Sequence, residues 1–457
     1  MKEIKNYVIK YTIPAVYVFL MNLFFIGINY KFWCPILGAK GFVIEIIIVY
    51  AAYFLLWGIS GKWKTVITFF GFFSIVLSII NQIKYLFTSE PILWSDLLFI
   101  RNSKEIIQII QGDFWNVIKL CLIPIIFEIL IFLLCIKIGR NAAKDEKKIN
   151  KWARISIIAF SLMIFLILFC PIPKINEFMK NKIYDINNRK DYDTFTEISV
   201  YYLDYGIIGG AYGQMLENRL AKPEEYDEKQ IDIELSNAKE NEKKTLGTPN
   251  IIVVFSESFW DIEQLDEVEF NTKVTSNFNS LKEKGLFFNM ISPSYGGVSA
   301  NVEYEFLTGS NTMFFNHSYI PYMSLYKDDT YYNRPSIIKE LKDNGYRTKI
   351  VTYTSSKLFN CGKVYKYLQV DDVEYNINID EKYKKGENVS DEYVVDKIIK
   401  EFDKKNKDEK LFYMTLTMQA HMPYTKDKYD KYDVWVTKSN LSNQMNDVLT
   451  SYAQRNL

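Results

Sequence analysis

Cysteine and histidine are both scarce in this 457-residue chain, which has five of the first and two of the second. Cys34, Cys121, Cys135 and Cys170 lie in or beside apolar segments, and Cys361 stands alone. No C-x-x-C pair occurs, so neither a zinc knuckle nor a disulfide framework is supported. An excess of one charge is missing too: 55 Lys and Arg against 54 Asp and Glu leave a net charge of +1. That balance carries no nucleic-acid signature over the chain as a whole. What is present is distributed unevenly. The first 175 residues are dominated by long apolar runs, and the remainder has a mixed-charge globular composition. The length leaves room for two or three domains.

Five apolar segments are long enough to cross a bilayer, which takes about twenty residues. They lie near Tyr7–Ile28, Gly41–Ser60, Thr65–Phe87, Asn116–Ile138 and Ile155–Pro171. Lys2, Lys5 and Lys10 precede the first, and Lys62 and Lys64 separate the second from the third. A denser cluster, Lys137, Arg140, Lys144, Lys147, Lys148, Lys151 and Arg154, separates the fourth from the fifth. The other loops are diluted by Glu90, Asp96, Glu105 and Asp113. By the positive-inside rule the N-terminus is cytoplasmic, and five spans place everything after Pro173 outside. The first span is too long for a signal-peptide core and lacks a cleavage pattern, so it is read as retained. Trp33, Trp63, Trp94, Trp115 and Trp152 fall near span ends, where interfacial aromatics belong.

Intramembrane carboxylates are costly, which makes Glu45 and Glu128 functional suspects. The plainer expectation is that Glu45 snorkels from a span end and Glu128 hydrogen-bonds inside the bundle. The mixed segment Glu90–Leu98 is too short to span and reads as an amphipathic piece at the outer interface. Residues 174–248 read as an extracellular linker. Within it, 201–220 looks partly helical, and 222–244 is a charged tether.

The chemistry concentrates between Pro249 and Gly309. Ile251–Phe255 is a near-continuous β-branched run, expected as a parallel strand buried on both faces. It breaks to Ser256-Glu257-Ser258. Ligands of open α/β sheets bind beyond the carboxyl ends of the strands, so Glu257 is a candidate metal ligand there. About forty residues on comes Y-G-G-V-S-A-N-V-E-Y-E-F-L-T-G. Gly296 and Gly297 allow close backbone approach, and Ser299 sits where the loop becomes a helix. Free N–H groups at a helix start favour attack by such a hydroxyl on a phosphate. Both residues also have a plain reading, Ser299 as an ordinary N-cap and Glu257 as a solvated strand end.

The wording of the two motifs resembles the lipoteichoic acid synthase family. Those are membrane-bound phosphoglycerol transferases with an alkaline-phosphatase/sulfatase-like catalytic domain. The resemblance implies that Glu257 binds a divalent metal and that Ser299 is both nucleophile and ligand. The family usually has Thr at the Ser299 position. The segments E-P-x-L-x-S-D-L-L (from Glu90) and A-K-P-E-E-Y (from Ala221) are also similar to family sequences.

Downstream, strand and helix alternate. A helix is expected over 334–344, a strand over 346–353, a Ser390-capped helix to Phe402 and a strand over 411–418. This pattern argues an α/β fold with a mainly parallel sheet. Beyond the last strand, T-M-Q-x-H-x-P-Y is similar to the family's substrate-binding histidine motif. His421 is therefore assigned to a phosphate or glycerol oxygen, and His317 is read as surface. Phe359 and Asn360 match the family's substrate-contacting F-W/Y-N-R stretch, but Cys361 replaces its Arg. Lys363 is the alternative source of charge there, without Arg's bidentate fork.

An Asp-His pair completes the family's metal site, and no such pair occurs in these 457 residues. The expectation is a chain incomplete at the C-terminus. The architecture expected is a five-helix transmembrane domain (1–173), the linker (174–248) and the N-terminal part of a sulfatase-like α/β domain (249–457). The function implied by the resemblance is metal-dependent transfer of phosphoglycerol from phosphatidylglycerol to a glycolipid, glycan or polymer hydroxyl, in a bacterial cell membrane and in cell wall biogenesis. Mn2+ is the expected cofactor, with Mg2+ or Zn2+ as alternatives. Rival readings are a phosphoethanolamine transferase, a sulfatase-like hydrolase and an inactive membrane protein binding lipid or polymer.

Overall fold

Apolar side chains cover the outside of the N-terminal helices, and polar ones sit within. The computed structural model describes residues 2–29, 39–88, 90–99, 114–144, 149–184, 202, 204–217, 227, 229–231, 233–234, 249–292, 298–315, 319–326, 334–422 and 424–454. His317, Gly296 and Gly297 lie outside them, as does most of the charged stretch 222–244. The long helices are α1 (Lys2–Asn29), α2 (Ala39–Ser60), α3 (Trp63–Thr88), α4 (Phe114–Ala142) and α5 (Lys151–Phe169). Among the described residues, four stretches are long and apolar enough to cross a membrane: Glu3–Phe24, Val43–Ser60, Trp63–Tyr85 and Lys151–Phe169. The remaining expected span falls on the 29-residue helix α4. Phe72, Leu130 and Phe160 stand exposed, while Asn22, Glu45, Gln82 and Glu128 are buried. That inversion suits helices surrounded by lipid.

Close helix contacts hold this first unit together. A Cβ on Gly71 would lie 2.3 Å from the Ile136 side chain, so only a hydrogen lets α3 and α4 approach so closely. The helix α6 (Ile207–Glu217), expected within the linker, packs in this unit, which includes Trp115–Ala221. Tyr184 donates to the Gly209 carbonyl and Tyr212 to the Leu168 carbonyl.

Two expectations for this unit are corrected. Glu45 does not snorkel. It is fully buried and accepts from Asn22 Nδ2 at 3.1 Å and from the Ile208 amide at 3.5 Å, while Asn22 Oδ1 accepts from the Ile207 amide. The pair caps the free N–H groups of α6 from two other helices. The Glu90–Leu98 segment is folded in rather than laid along a surface. Lys84 bonds Asp96 and the Pro91 carbonyl, Asn81 accepts from the Ile92 amide, and Leu93 and Ser95 are buried. Glu128 does hydrogen-bond inside the bundle, to Gln82.

The second unit is built on a sheet. Its strands are β1 (Ile251–Phe255), β2 (Glu269–Phe270), β3 (Tyr346–Thr352), β4 (Asp372–Tyr375), β5 (Lys384–Lys385), β6 (Asn388–Val389), β7 (Lys410–Leu416) and β8 (Val436–Lys438). The main sheet has the order β1-β7-β3-β4, parallel throughout; β2–β8 and β5–β6 are small antiparallel ribbons. Its helices are α7 (Ser276–Lys284), α8 (Ser299–Thr308), α9 (Ile337–Asp343), α10 (Cys361–Tyr367), α11 (Asp391–Lys404) and α12 (Asn443–Ala453). Ser336 and Ser390 cap α9 and α11 by accepting from the Lys339 and Tyr393 amides. Central strand β7 buries Leu411, Phe412, Tyr413 and Met414, as a strand covered on both faces should. β1 departs from its expectation: among the described strands it lies at the end of the sheet, and one of its faces is uncovered, with Ile252 43% and Val254 46% exposed. An apolar run this short cannot distinguish edge from centre.

Candidate active site

In a parallel sheet every strand delivers its C-terminal loop to the same edge, and the expected site residues follow three adjacent strands. Glu257 follows β1, His421 follows the neighbouring β7, and Phe359 and Asn360 follow β3. Such an edge is where open α/β sheets bind ligands.

Two hydroxyls fix the loop that carries Glu257. The Glu257 amide donates to Thr417 Oγ1 at 3.2 Å, at the end of β7. From α12, the Tyr452 hydroxyl accepts from the Trp260 amide at 2.5 Å and donates to the Ser258 carbonyl at 2.8 Å. Between these anchors Ser258 takes a left-handed φ of 55°.

Ser299 is the first residue of α8, so it is not the N-cap. That position belongs to Val298, which is left-handed (φ 54°) and offers no side-chain cap. A β-branched residue at such an angle is strained, and strain of this kind persists where the surroundings impose it. The result is a half-buried hydroxyl at the opening of a ten-residue helix. Phe306 on α8 packs edge-on against Phe255 at the end of β1, with ring centroids 5.4 Å apart. This contact sets the Ser299 helix beside the strand that leads to Glu257.

Phe359 and Asn360 are consecutive left-handed residues, with φ 49° and 61°. Five non-glycine residues have positive φ among those described, and four of them are Ser258, Val298, Phe359 and Asn360. Strain is therefore gathered at the candidate site rather than spread over the unit. Cys361, where the family has Arg, is buried and begins α10; Lys363 lies 5.2 Å over the Tyr367 ring.

His421 Nδ1 lies 2.9 Å from the Met422 carbonyl. A carbonyl only accepts, so Nδ1 is the donor, which leaves Nε2 for another partner. Lys428 Nζ donates to the His421 carbonyl at 2.6 Å, and Gln419 accepts from the Asp391 amide, tying the loop to α11.

Sequence reasoning passed over Glu303. It lies one turn beyond Ser299 on α8 and accepts from the Tyr322 hydroxyl at 3.1 Å. Burial pushes its carboxyl up to about 7, against the opposing hydrogen bonds of Tyr365 and Tyr322. The i, i+4 spacing from Ser299 was the available signal.

Glu257 and Ser299 supply two oxygen donors. No group of three His, Cys, Asp or Glu side chains that could hold a metal ion occurs among the described residues. Catalytic sites use about three protein ligands, so the described residues do not complete a metal site.

A family model for sulfatases matches residues 249–456. A curated relative, a cyclic beta-1,2-glucan modification protein of Rhizobium meliloti (strain 1021), is 26% identical over 390 residues, covering 83% of this chain. The chain spans 57% of that relative's length. The Streptococcus pyogenes phosphoglycerol transferase GacH, solved with sn-glycerol-1-phosphate, is similar at a TM-score of 0.43 and 24% identity, over 52% of this chain and 63% of that one. The lipoteichoic acid synthase LtaP of Listeria monocytogenes is similar at 0.37 and 20%, over 46% and 50%. At these scores neither likeness carries the argument. The family match carries it for the C-terminal part: residues 249–456 match the sulfatase family, and a unit of apolar helices precedes them.

Proposed function

We propose that the chain is a membrane-anchored transferase that moves phosphoglycerol from phosphatidylglycerol to a glycan or polymer hydroxyl. The observation that carries this reading is Ser299 at the opening of α8, behind a strained Val298, on a sheet whose adjacent strands end at Glu257, His421 and Phe359–Asn360. Ser299 Oγ attacks phosphorus, and the bond from phosphorus to the diacylglycerol oxygen breaks. Diacylglycerol leaves as the alcohol with the proton. The acceptor hydroxyl then attacks the phosphoglyceryl-serine, and Ser299 regains its proton. His421 Nε2 and Asn360 hold oxygens of the phosphoglycerol, and Phe359 covers the glycerol. A divalent cation, manganese ahead of magnesium or zinc, belongs to the proposal, with Glu257 and Ser299 as two of its donors. The name of the glucan-modifying relative favours a glycan acceptor. The N-terminus is cytoplasmic and the sulfatase domain extracellular, so the lipid donor stays in the outer leaflet.

The test uses the full chain in vesicles containing phosphatidylglycerol labelled in its head-group glycerol. Expected are release of diacylglycerol and a labelled phosphoglyceryl adduct on Ser299 by mass spectrometry. Ser299→Ala should remove both, at least about 10³-fold in rate. An adduct from phosphatidylethanolamine instead, or hydrolysis of an aryl sulfate with no lipid turnover, would replace this reading by a rival.

A further inference from the structure

The site's parts hang on different elements, yet hydrogen bonds tie two of them together. Tyr322, in the short helical turn Pro321–Ser324, is 1% exposed. Its hydroxyl donates to Glu303 on the Ser299 helix at 3.1 Å. Its own carbonyl accepts from Asn360 Nδ2 at 3.3 Å. One buried tyrosine thus grips the nucleophile helix with its side chain and the left-handed turn with its backbone. Tyr365, on the helix that begins directly after Asn360, also faces the Glu303 carboxyl. Rings pack this cluster on both sides, with Tyr304 against Tyr322 and Tyr322 against Tyr326, both edge-on.

We infer that Glu303 is a positioning residue, which through Tyr322 sets the Ser299 helix and the Phe359–Asn360 turn as one unit. The physical need follows from the strain. Two consecutive left-handed residues persist only when their surroundings over-determine them. The Asn360 bond to the Tyr322 carbonyl and the Tyr322 bond to Glu303 supply that determination. Glu303 itself touches no reacting atom. Its catalytic consequence is geometric, because misplacing a nucleophile against its substrate by about 1 Å costs on the order of 100-fold in rate. The coupling is structural and stands without the transferase reading; its effect on turnover rests on that reading.

Two measurements on the full chain keep these apart. The first is amide hydrogen exchange in Tyr322→Phe, Glu303→Leu and Glu303→Gln. Phe removes one hydroxyl only, Leu removes the acceptor, and Gln keeps an acceptor oxygen. Exchange over 356–367 should quicken about tenfold in the Phe and Leu variants, stay near wild type in Gln, and leave 411–416 unchanged in all three. Unchanged exchange over 356–367, or an even rise across the sheet, would overturn the inference. The second is steady-state turnover of phosphatidylglycerol. Glu303→Leu should lower kcat by roughly 10- to 100-fold with KM changed less. Combined with Tyr322→Phe its loss should be less than the product of the two single losses, because both remove the same hydrogen bond. Full multiplicativity would overturn the coupling. A wild type that turns over no phosphatidylglycerol, with the local exchange response intact, would sink the transferase reading and leave the coupling standing.

Discussion

Both units enclose carboxylates, Glu45 fully and Glu303 in part, and they use them differently. In the helix unit Glu45 is spent on architecture, since with Asn22 it caps the opening of α6. In the sheet unit Glu303 also bonds neighbouring groups, but its partners lead to the strained turn at Asn360. The lesson concerns how to read a buried charge. Burial and cost are shared by both residues, so neither marks function; what the partners are attached to does. Glu45 leads to a helix start, and Glu303 leads to a set of left-handed residues at the C-terminal edge of a parallel sheet.

The comparison breaks most readily at Gly206. This residue has φ 77°, and a Cβ there would fall 1.5 Å from Glu45 Oε2. Gly206→Ala must therefore push Glu45 off the α6 cap while holding alanine in a left-handed conformation. The expected loss is about 3 kcal/mol or more, from backbone strain plus unsatisfied amides. Thermal unfolding of the detergent-solubilised chain reads it. Unfolding unchanged from wild type would mean that the cap contributes nothing.

A smaller effect is expected at Lys349, the buried cation of the sheet unit. It lies within 2.9 Å of Asp372, 2.5 Å of Glu374 and 3.1 Å of Glu401. Lys349→Met leaves three carboxylates around an apolar side chain. Asp372 and Glu374 are 46% and 34% exposed, so solvent relieves part of the repulsion. The expected loss is about 1–3 kcal/mol, below that of a fully buried pair. Here a charge network is spent on architecture in the sheet unit too, which sharpens the contrast with Glu303.

How legible all this was in the chain follows the range of the interactions. Ser390 and the apolar run of β7 were readable, because a cap and a covered strand are written within a few neighbouring residues. Ser299 at a helix start and Glu257 at a strand end were readable for the same reason. The edge position of β1 was not, since the order of strands depends on pairings far along the chain. Glu45 was misjudged because its partners Asn22 and Ile208 lie in other helices. Glu303 was passed over because its tyrosines come from separate segments that only the fold assembles.

The smallest expected effect separates the two kinds of carboxylate inside the sheet unit by pH alone. Lys349 and Lys397 hold the Glu374 carboxyl down at about 2, overcoming the opposing effect of burial. Its folded value is depressed, so its contribution is present above its ordinary value and is lost as pH falls through the folded one. Glu303 is the reverse: burial raises it from 4.5 to about 7, against the hydrogen bonds of Tyr365 and Tyr322. The folded chain then holds a proton that the unfolded chain releases. The contribution is complete below 4.5 and is lost as pH rises towards 7. The groups facing Glu303 are Tyr322, Tyr365, Cys361 and Tyr375, all raised by burial and by the carboxylate itself, so none titrates in that window. Glu303→Gln should therefore flatten the fall in stability between about pH 4.5 and 7 and leave the acid limb in place, while Glu374→Gln should do the opposite. Unfolding temperatures of the two variants across that range decide it. If Glu303→Gln follows the wild-type slope, the carboxyl is not shielded and Tyr322 is holding an ordinary surface glutamate.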